Sequence, residues 1–594
     1  MLLSAGFEVL GLARDASGCD WATVIRFCDK DGLPKSRIIR HAQLQGTAAD
    51  VRADLASAGL FVDPAPVRAT RFARFLSLVK HSRRMTLAER TGWIDASRFA
   101  LPAGVIAGPS AEPVLFDGMA LHYGTAGTLH GWQKQVAKLA EGNRLLVLAL
   151  SLAFVGPLMR WLGLEGGGFH FRGASSTGKT SLAWAAGSVW GGGGPLGFGA
   201  SWRATGNALE GVAYGHSETL LILDELALVD PQEAGAAAYA LATGQGKARA
   251  RQDGALRKRS EWRVMICSTG EIGLADHMRA AKRAERTMTG QELRLLDLSA
   301  DAGAGFGAWQ ELHSMASPAA FSDAIKAACD LHYGQAGPAF VRGLVADLAY
   351  WEAEAKRIAT AFVAMAKQEE DSGQIHRAGL RFGAVAAAGE IAAALGVVPW
   401  PAGTATAAAF ACFNDWAKGF GRKGLREDRQ VLLAVQAAIF QNQSRFGAVR
   451  ETQGDDYTEA SNRMGEARSL TTLGYLHQLP VTKDTFRPFY LFHKAGWAEV
   501  LKGLDLDRAA DVLLERGLML RGDGGRRMRK QRVGDQSPRF YTVSAAILEY
   551  DESEADGGAL VAAGGGMAKQ PPSLPLKAPA AQEPDDWLDD DPFG

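Results

Sequence analysis

Gly173-Ala174-Ser175-Ser176-Thr177-Gly178-Lys179-Thr180 decides the fold. It is a complete G-x-x-x-x-G-K-[ST] loop, whose glycines let backbone N–H groups turn inward around phosphates. On this reading Lys179 reaches the β- and γ-phosphates of a nucleoside triphosphate. Thr180 supplies a hydroxyl to Mg²⁺, with Ser181 next in line. Phe169-His170-Phe171-Arg172 ahead of the loop alternates like a short strand, and Thr180 to Ala186 after it suits a helix. The amino end of that helix then directs partial positive charge at the phosphates.

Thr219-Leu220-Leu221-Ile222-Leu223-Asp224-Glu225 is an apolar run ending in two acids. It fits a central parallel strand buried on both faces, and ligands of an open α/β sheet gather at the carboxyl ends of such strands. Asp224 is expected to hold Mg²⁺ through water and Glu225 to polarise the attacking water. A second buried strand, Arg263 to Gly270, ends in small polar groups. Ser268 and Thr269 are both candidates for sensing the γ-phosphate, the alternative being an ordinary helix cap. Gly290 to Leu298 reads as a last core strand. Arg294 near its start is expected to reach the γ-phosphate of a neighbouring subunit. A structural ion pair with Asp297 or another acid is the alternative, and Lys282, Arg283 and Arg286 compete for the trans role.

Residues 244 to 263 carry seven cations, Lys247, Arg249, Arg251, Arg257, Lys258, Arg259 and Arg263, against Asp253 and Glu261 alone. Asp253-Gly254 marks a hairpin turn. A basic hairpin before the sensor strand suits tracking of a DNA phosphate backbone.

The chain of 594 residues is long enough for about three or four domains, and its 65 Lys and Arg balance 65 Asp and Glu. Any nucleic-acid contact must therefore come from local patches. Five scattered cysteines with no C-x-x-C pair argue against a zinc site or a disulfide framework and fit a reducing cytoplasm. No signal-peptide pattern opens the chain. Leu145 to Met159, interrupted by Gly156-Pro157, reads as a buried helix rather than a membrane span.

The expected organisation is α/β. Residues 1–128 form a mixed, β-rich N-terminal domain and residues 129–305 the phosphate-loop ATPase core. Residues 306–460 form a helical lid region, 461–550 a winged-helix-like domain and 551–594 a disordered acidic tail. Phe7 to Leu12 and Trp21 to Phe27 alternate as strands, with an Asp31-Gly32 turn into Ser36 to His41. Helices are expected near 48–58, 69–82, 129–164, 349–367, 378–395 and 508–516. In the wing, residues 521–539, Arg526, Arg527, Arg529 and Lys530 are candidate phosphate contacts. The tail ends Asp589-Asp590-Asp591-Pro592-Phe593-Gly594 and resembles the acidic tip of bacterial single-strand-binding proteins. Trp587 and Phe593 could dock on a replication partner, or the tail could lie on the chain's own basic surfaces.

The ordered set of loop, Leu-Asp-Glu strand, basic hairpin, Ser-Thr strand and Gly-Gln-x-x-Arg strand resembles the AAA+ cores of superfamily 3 and MCM-like helicases. More closely, the chain resembles domain-of-unknown-function family 927, ATPases of phages, plasmids and integrated mobile elements. The likeness runs over roughly residues 1–450. It is carried by Gly131-Trp132, Gly167 to Gly173, Trp202-Arg203-Ala204-Thr205 with Asn207 and Leu209-Glu210, Gly246 to Arg249, and Arg377 with Arg381-Phe382 ahead of Ala388-Gly389-Glu390. The resemblance implies a helical lid in which Arg377 or Arg381 senses phosphate in cis. It also implies an oligomeric, hexameric ring that uses ATP and Mg²⁺ on single-stranded or forked DNA, with no membrane partner. The rival readings are an ATPase that loads or remodels proteins and an ATP-switched origin-binding module.

Overall fold

The computed structural model of the protein describes residues 3–550, except 47, 109–111, 120, 248–258, 281–292, 369–370, 421–424, 450–471, 481–485, 503 and 534–535. The acidic tail with Trp587 and Phe593 thus lies outside the described residues. Two units divide near residue 418.

In the first unit, β1 (Glu8–Asp15), β2 (Ala22–Cys28) and β3 (Pro34–Arg40) form an antiparallel meander. The expected Asp-Gly turn joins β2 to β3. Gly32 there adopts φ +81°, and Asp29 accepts the amides of Asp31 and Leu33. Helices α1 (Ala49–Ser57) and α2 (Pro66–Leu78) follow, and Leu55, Phe72 and Leu76 pack with Ile25 and Phe27. α2 ends sooner than its pattern suggests, because β4 (Arg84–Ala88) begins six residues on, parallel to β1. A small sheet of β5 (Gly92–Trp93), β6 (Arg98–Leu101) and β7 (Gly104–Ala107) precedes β8 (Val114–Phe116), which completes the order β3-β2-β1-β4-β8.

The helical run expected over 129–164 is broken. α3 (Leu129–Trp132) continues as a wider helical turn over Gln133–Ala137 and a tighter one over Lys138–Ala140, and α4 (Arg144–Ala153) starts afresh. Gly142 at φ +79° turns the chain, and the buried Asn143 side chain accepts the amides of Gln310 and Glu311. α4 buries every residue from Leu145 to Ala153, as a core helix should. Among the described residues no helix is long and apolar enough to cross a membrane.

The second sheet contains β9 (Gly167–Arg172), β10 (Ala200–Ser201), β11 (Leu220–Asp224), β12 (Met265–Gly270) and β13 (Leu295–Ser299). They are parallel in the order β10-β11-β12-β9-β13. Burial on both faces explains the unbroken apolar run of β11 ahead of Asp224. The intervening helices are α5 (Lys179–Ser188), α6 (Gly206–Gly215), α7 (Pro231–Thr243) and α8 (Leu274–Arg279). The register sets Ser268 of β12 level with both Leu223 and His170.

Helices α9 (Pro318–Leu331), α10 (Ala336–Ala346), α11 (Leu348–Ala366), α12 (Gly373–Ala394) and α13 (Thr404–Phe420) follow. α12 sets Phe382 against Phe169, ring centroids 4.8 Å apart. Its buried Glu390 accepts the amides of Gly403 and Thr406, 2.8 Å each, at the start of α13.

The second unit holds α14 (Leu425–Gln441), β14 (Phe446–Val449), β15 (Gly474–Pro480), β16 (Phe486–Phe492), α15 (Lys494–Val500) and α16 (Leu506–Glu515). It ends with β17 (Met519–Leu520), β18 (Arg529–Lys530) and β19 (Arg539–Ser544). Its sheet runs β14-β15-β16-β19-β17, with β18 added to β19. The expected order of helix, strand, loop and strand is present inside this larger sheet.

Candidate nucleotide site and basic surfaces

β9 delivers the chain to the carboxyl edge of the parallel sheet, and residues 173–178 turn there into α5. Gly178 caps the helix at φ +95°, and a Cβ at that position would lie 2.7 Å from the Trp309 ring. A Cβ on Gly173 would lie 2.9 Å from Thr177 Oγ1. Gly178 is thus required by the space as well as by the backbone, whereas at Gly173 only the contact with Thr177 crowds a side chain. Ser176 also takes a positive φ, 63°. Ala174, Ser175 and Ser176 are exposed, Thr180 is half-buried, and Thr177 donates to Ala174 O. Lys179 is buried, and its ammonium donates to Gly173 O and Ala174 O at 2.8 and 2.6 Å. The cation therefore lies within the turn. Ser181 is buried and donates to Ser322 O on α9, so it faces away from the loop.

Asp224 ends β11, two strands across from β9, about 10 Å at ordinary strand spacing. The Thr269 hydroxyl donates to Asp224 Oδ1 and accepts the Glu225 amide at 3.2 Å. Glu225 is half-buried at φ +59°, an uncommon backbone for a residue with a Cβ. Such strain is often concentrated at functional sites.

Ser268 is engaged elsewhere. His170 Nε2 lies 3.0 Å from Ile272 O, which can only accept, so Nε2 carries the proton. His170 Nδ1 then accepts the Ser268 hydroxyl at 2.9 Å, while Ser268 Oγ accepts Trp202 Nε1–H at 2.9 Å. Burial pushes the His170 pKa down to about 4, which keeps the imidazole neutral. Of the two expected sensors, Thr269 touches Asp224 and Ser268 belongs to the core behind it.

The arginines are placed differently from the sequence reading. Arg294 pairs with Glu165, and its guanidinium lies 5.6 Å from the Tyr239 ring. Leu295 is level with Gly168, so Arg294 stands at the amino end of the sheet and the loop at the carboxyl end. Arg381 is buried and donates to Leu293 O and Gly166 O at 2.5 and 3.3 Å, at that same amino end. Burial lowers its pKa to about 10. Glu165 is held below the usual carboxylate range by Arg294 first, then by Arg381 and Arg377. A six-residue strand of about 20 Å separates this cluster from the loop. Arg381 is thus held by backbone carbonyls at the opposite end of β9 from the loop, and Arg377 is near enough to act on the charge of Glu165 there. Arg294 takes the ion-pair alternative, with Glu165 in place of Asp297. Asp297 pairs instead with Arg172 at 3.1 Å. A cleft of about 490 Å³ at this amino end is lined by Glu165, Tyr239, Arg263 and Arg294 among others.

The flanks of the basic segment pair as an antiparallel ladder. Gly246 N donates to Ser260 O and Trp262 N to Gly244 O, each at 2.9 Å. Lys247 and Arg259 are exposed next to this ladder. Arg249, Arg251, Arg257 and Lys258 lie outside the described residues, as do Lys282, Arg283 and Arg286. In the second unit Arg526 and Lys530 are exposed and Arg529 is half-buried. Arg527 is tied by a bidentate pair to Asp511 on α16, 2.8 Å for each bond, and is not free for phosphate as expected.

A family model described as domain of unknown function (DUF927) matches residues 1–261. The match ends well short of residue 450. No curated protein matches the chain. The fold is similar to that of a solved structure, SCCmec type IV Cch, an active helicase. The TM-score is 0.64 at 19% sequence identity, over 93% of this chain and 96% of that one.

Sequence reasoning missed Trp202, His170 and Trp309 as supports of the site. Trp202 and His170 meet only through strand register, and Trp309 reaches Gly178 from 131 residues downstream. Each stood in plain view as a bulky residue, with nothing local to mark its partner.

Proposed function

We propose that the chain is an ATP-driven DNA helicase built on a phosphate-loop AAA+ core, working as a ring, hexameric by the resemblance, in replication of a mobile element. One observation carries the reading. A glycine loop holding Lys179, the Asp224-Glu225 pair and the Thr269 hydroxyl share the carboxyl edge of one parallel sheet. Similarity to an active helicase supports DNA as the track.

ATP suits a loop of this sequence at a helix amino end, where backbone N–H groups can bind phosphate and the crowding at Gly173 and Gly178 keeps side chains out. Mg²⁺ is held mainly by phosphate and water with few protein ligands. Thr180 and Asp224 are the residues for it, and the ion would neutralise charge developing on the phosphates. Lys179 swings from the loop carbonyls to the triphosphate. Thr269 holds Asp224 in place, and Glu225 orients the water that attacks the γ-phosphorus. Lys247 and Arg259, with the basic residues between them, grip single-stranded DNA. Residues 461–550 serve as a winged-helix-like domain, with Arg526, Arg529 and Lys530 toward DNA. A cytoplasmic location goes with this role.

The test is ATP hydrolysis by the purified chain with and without single-stranded DNA across a salt series. Stimulation that fades with salt, together with strand displacement, is the expected result. Hydrolysis indifferent to DNA would replace the motor with a protein-loading or remodelling ATPase.

A further inference from the structure

We propose that the N-terminal sheet carries a separate single-stranded DNA platform, formed by Trp21 and the outer face of α2. Between Asp63 and Glu89 lie six Lys and Arg residues and no acid, in a chain whose charges otherwise balance. Arg71, Arg74 and Lys80 make no ion pair among the described residues, and the first two lie on the exposed face of α2. Phe75 and Leu78 share that face, 48% and 64% exposed. The Arg68 pair with Asp63 closes the amino end of the helix.

The carboxyl end of α2 is tied to β2 at Thr23, two residues past Trp21. Leu76 O accepts the Thr23 hydroxyl at 3.0 Å, and Trp21 O accepts the His41 amide at 2.8 Å. Trp21 is 38% exposed, with the guanidinium carbons of Arg14 and Arg84 at 5.8 and 5.7 Å from its ring centroid. Arg14 is itself fixed by Glu112 at 2.7 Å, so the stack is preformed.

Cations in a row steer a phosphate backbone, and exposed aromatic and guanidinium faces accept bases. Only an unstacked strand offers base faces, so the ligand is single-stranded. The platform shares its ligand with the proposed motor but none of its residues.

The experiment measures binding of the full chain, without nucleotide, to a labelled oligothymidine of about thirty residues, longer than one domain's site. Trp21→Ala and the surface pair Arg71→Glu/Arg74→Glu are each expected to weaken binding by about fivefold or more. ATP hydrolysis without DNA should stay at the wild-type rate, and the charge-reversed pair should show a shallower salt dependence. Wild-type affinity in both variants would overturn the platform while leaving the motor reading intact. No DNA binding by the wild-type chain would overturn both. Lost self-association with unchanged DNA affinity would give the face to a second copy of the chain. Equal losses on duplex and single strands would overturn the single-strand assignment.

Discussion

Thr269 and Asp224 are joined by a hydrogen bond from the end of β12 to the end of β11, and the same threonine oxygen accepts the Glu225 amide. One side chain thus holds the Asp224 carboxylate and the Glu225 backbone together. Thr269→Val should lower the turnover of ATP at least about tenfold while leaving nucleotide affinity near wild type. Ser268→Ala should cost less turnover and more stability, because its bonds run to His170 and Trp202. Steady-state hydrolysis beside thermal melts of the two variants checks this; a larger turnover loss in Ser268→Ala would reverse the assignment.

Lys179→Ala should abolish both hydrolysis and tight nucleotide binding, since its ammonium already sits at the loop carbonyls. Glu225→Gln should abolish hydrolysis alone. Equilibrium binding of a fluorescent ATP analogue separates the two, and full turnover in a folded Glu225→Gln protein would remove that residue from the mechanism.

Arg381 contacts two buried backbone carbonyls rather than the loop. Arg381→Met should therefore destabilise the fold by roughly 1–3 kcal/mol, the cost of leaving such acceptors unpaired. A lowered urea midpoint is the readout. Unchanged stability with lost nucleotide response would restore a sensor role.

His170 is held neutral by burial, with its pKa pushed from 6.5 to about 4. The unfolded chain binds the proton more readily. Stability from this group is present above pH 6.5 and is lost as pH falls toward 4. His170→Gln keeps a donor for Ile272 O, and its melting temperature should fall less steeply than the wild type's over that window. Parallel slopes would mean that His170 does not titrate there.

Lys247→Glu with Arg259→Glu should remove DNA stimulation of hydrolysis while sparing the basal rate. Arg527→Ala should barely change DNA affinity, because Asp511 already occupies it. Arg526→Ala/Lys530→Ala should weaken binding and reduce its salt dependence. Equal effects of all three changes would leave the Arg527 pair without consequence for DNA.

Local chemistry was enough for much of this protein. The loop from Gly173 to Thr180, the apolar strand ending in Asp224 and Glu225, the Asp-Gly turn after β2 and the buried helix at Leu145 are each written in contiguous residues. Propensity, hydrophobic run length and turn chemistry act over a few positions. What the tertiary structure decided are relations across tens to hundreds of residues. Strand register selected Thr269 over Ser268 by setting His170 and Trp202 against the latter. Sheet polarity sent Arg294, Arg377 and Arg381 to Glu165, away from the loop. An arginine reads alike whether its partner is a phosphate, a carboxylate or a backbone carbonyl, since all offer oxygen to the same guanidinium. The choice is made by which oxygen the packed core brings within reach, and that is a property of the fold.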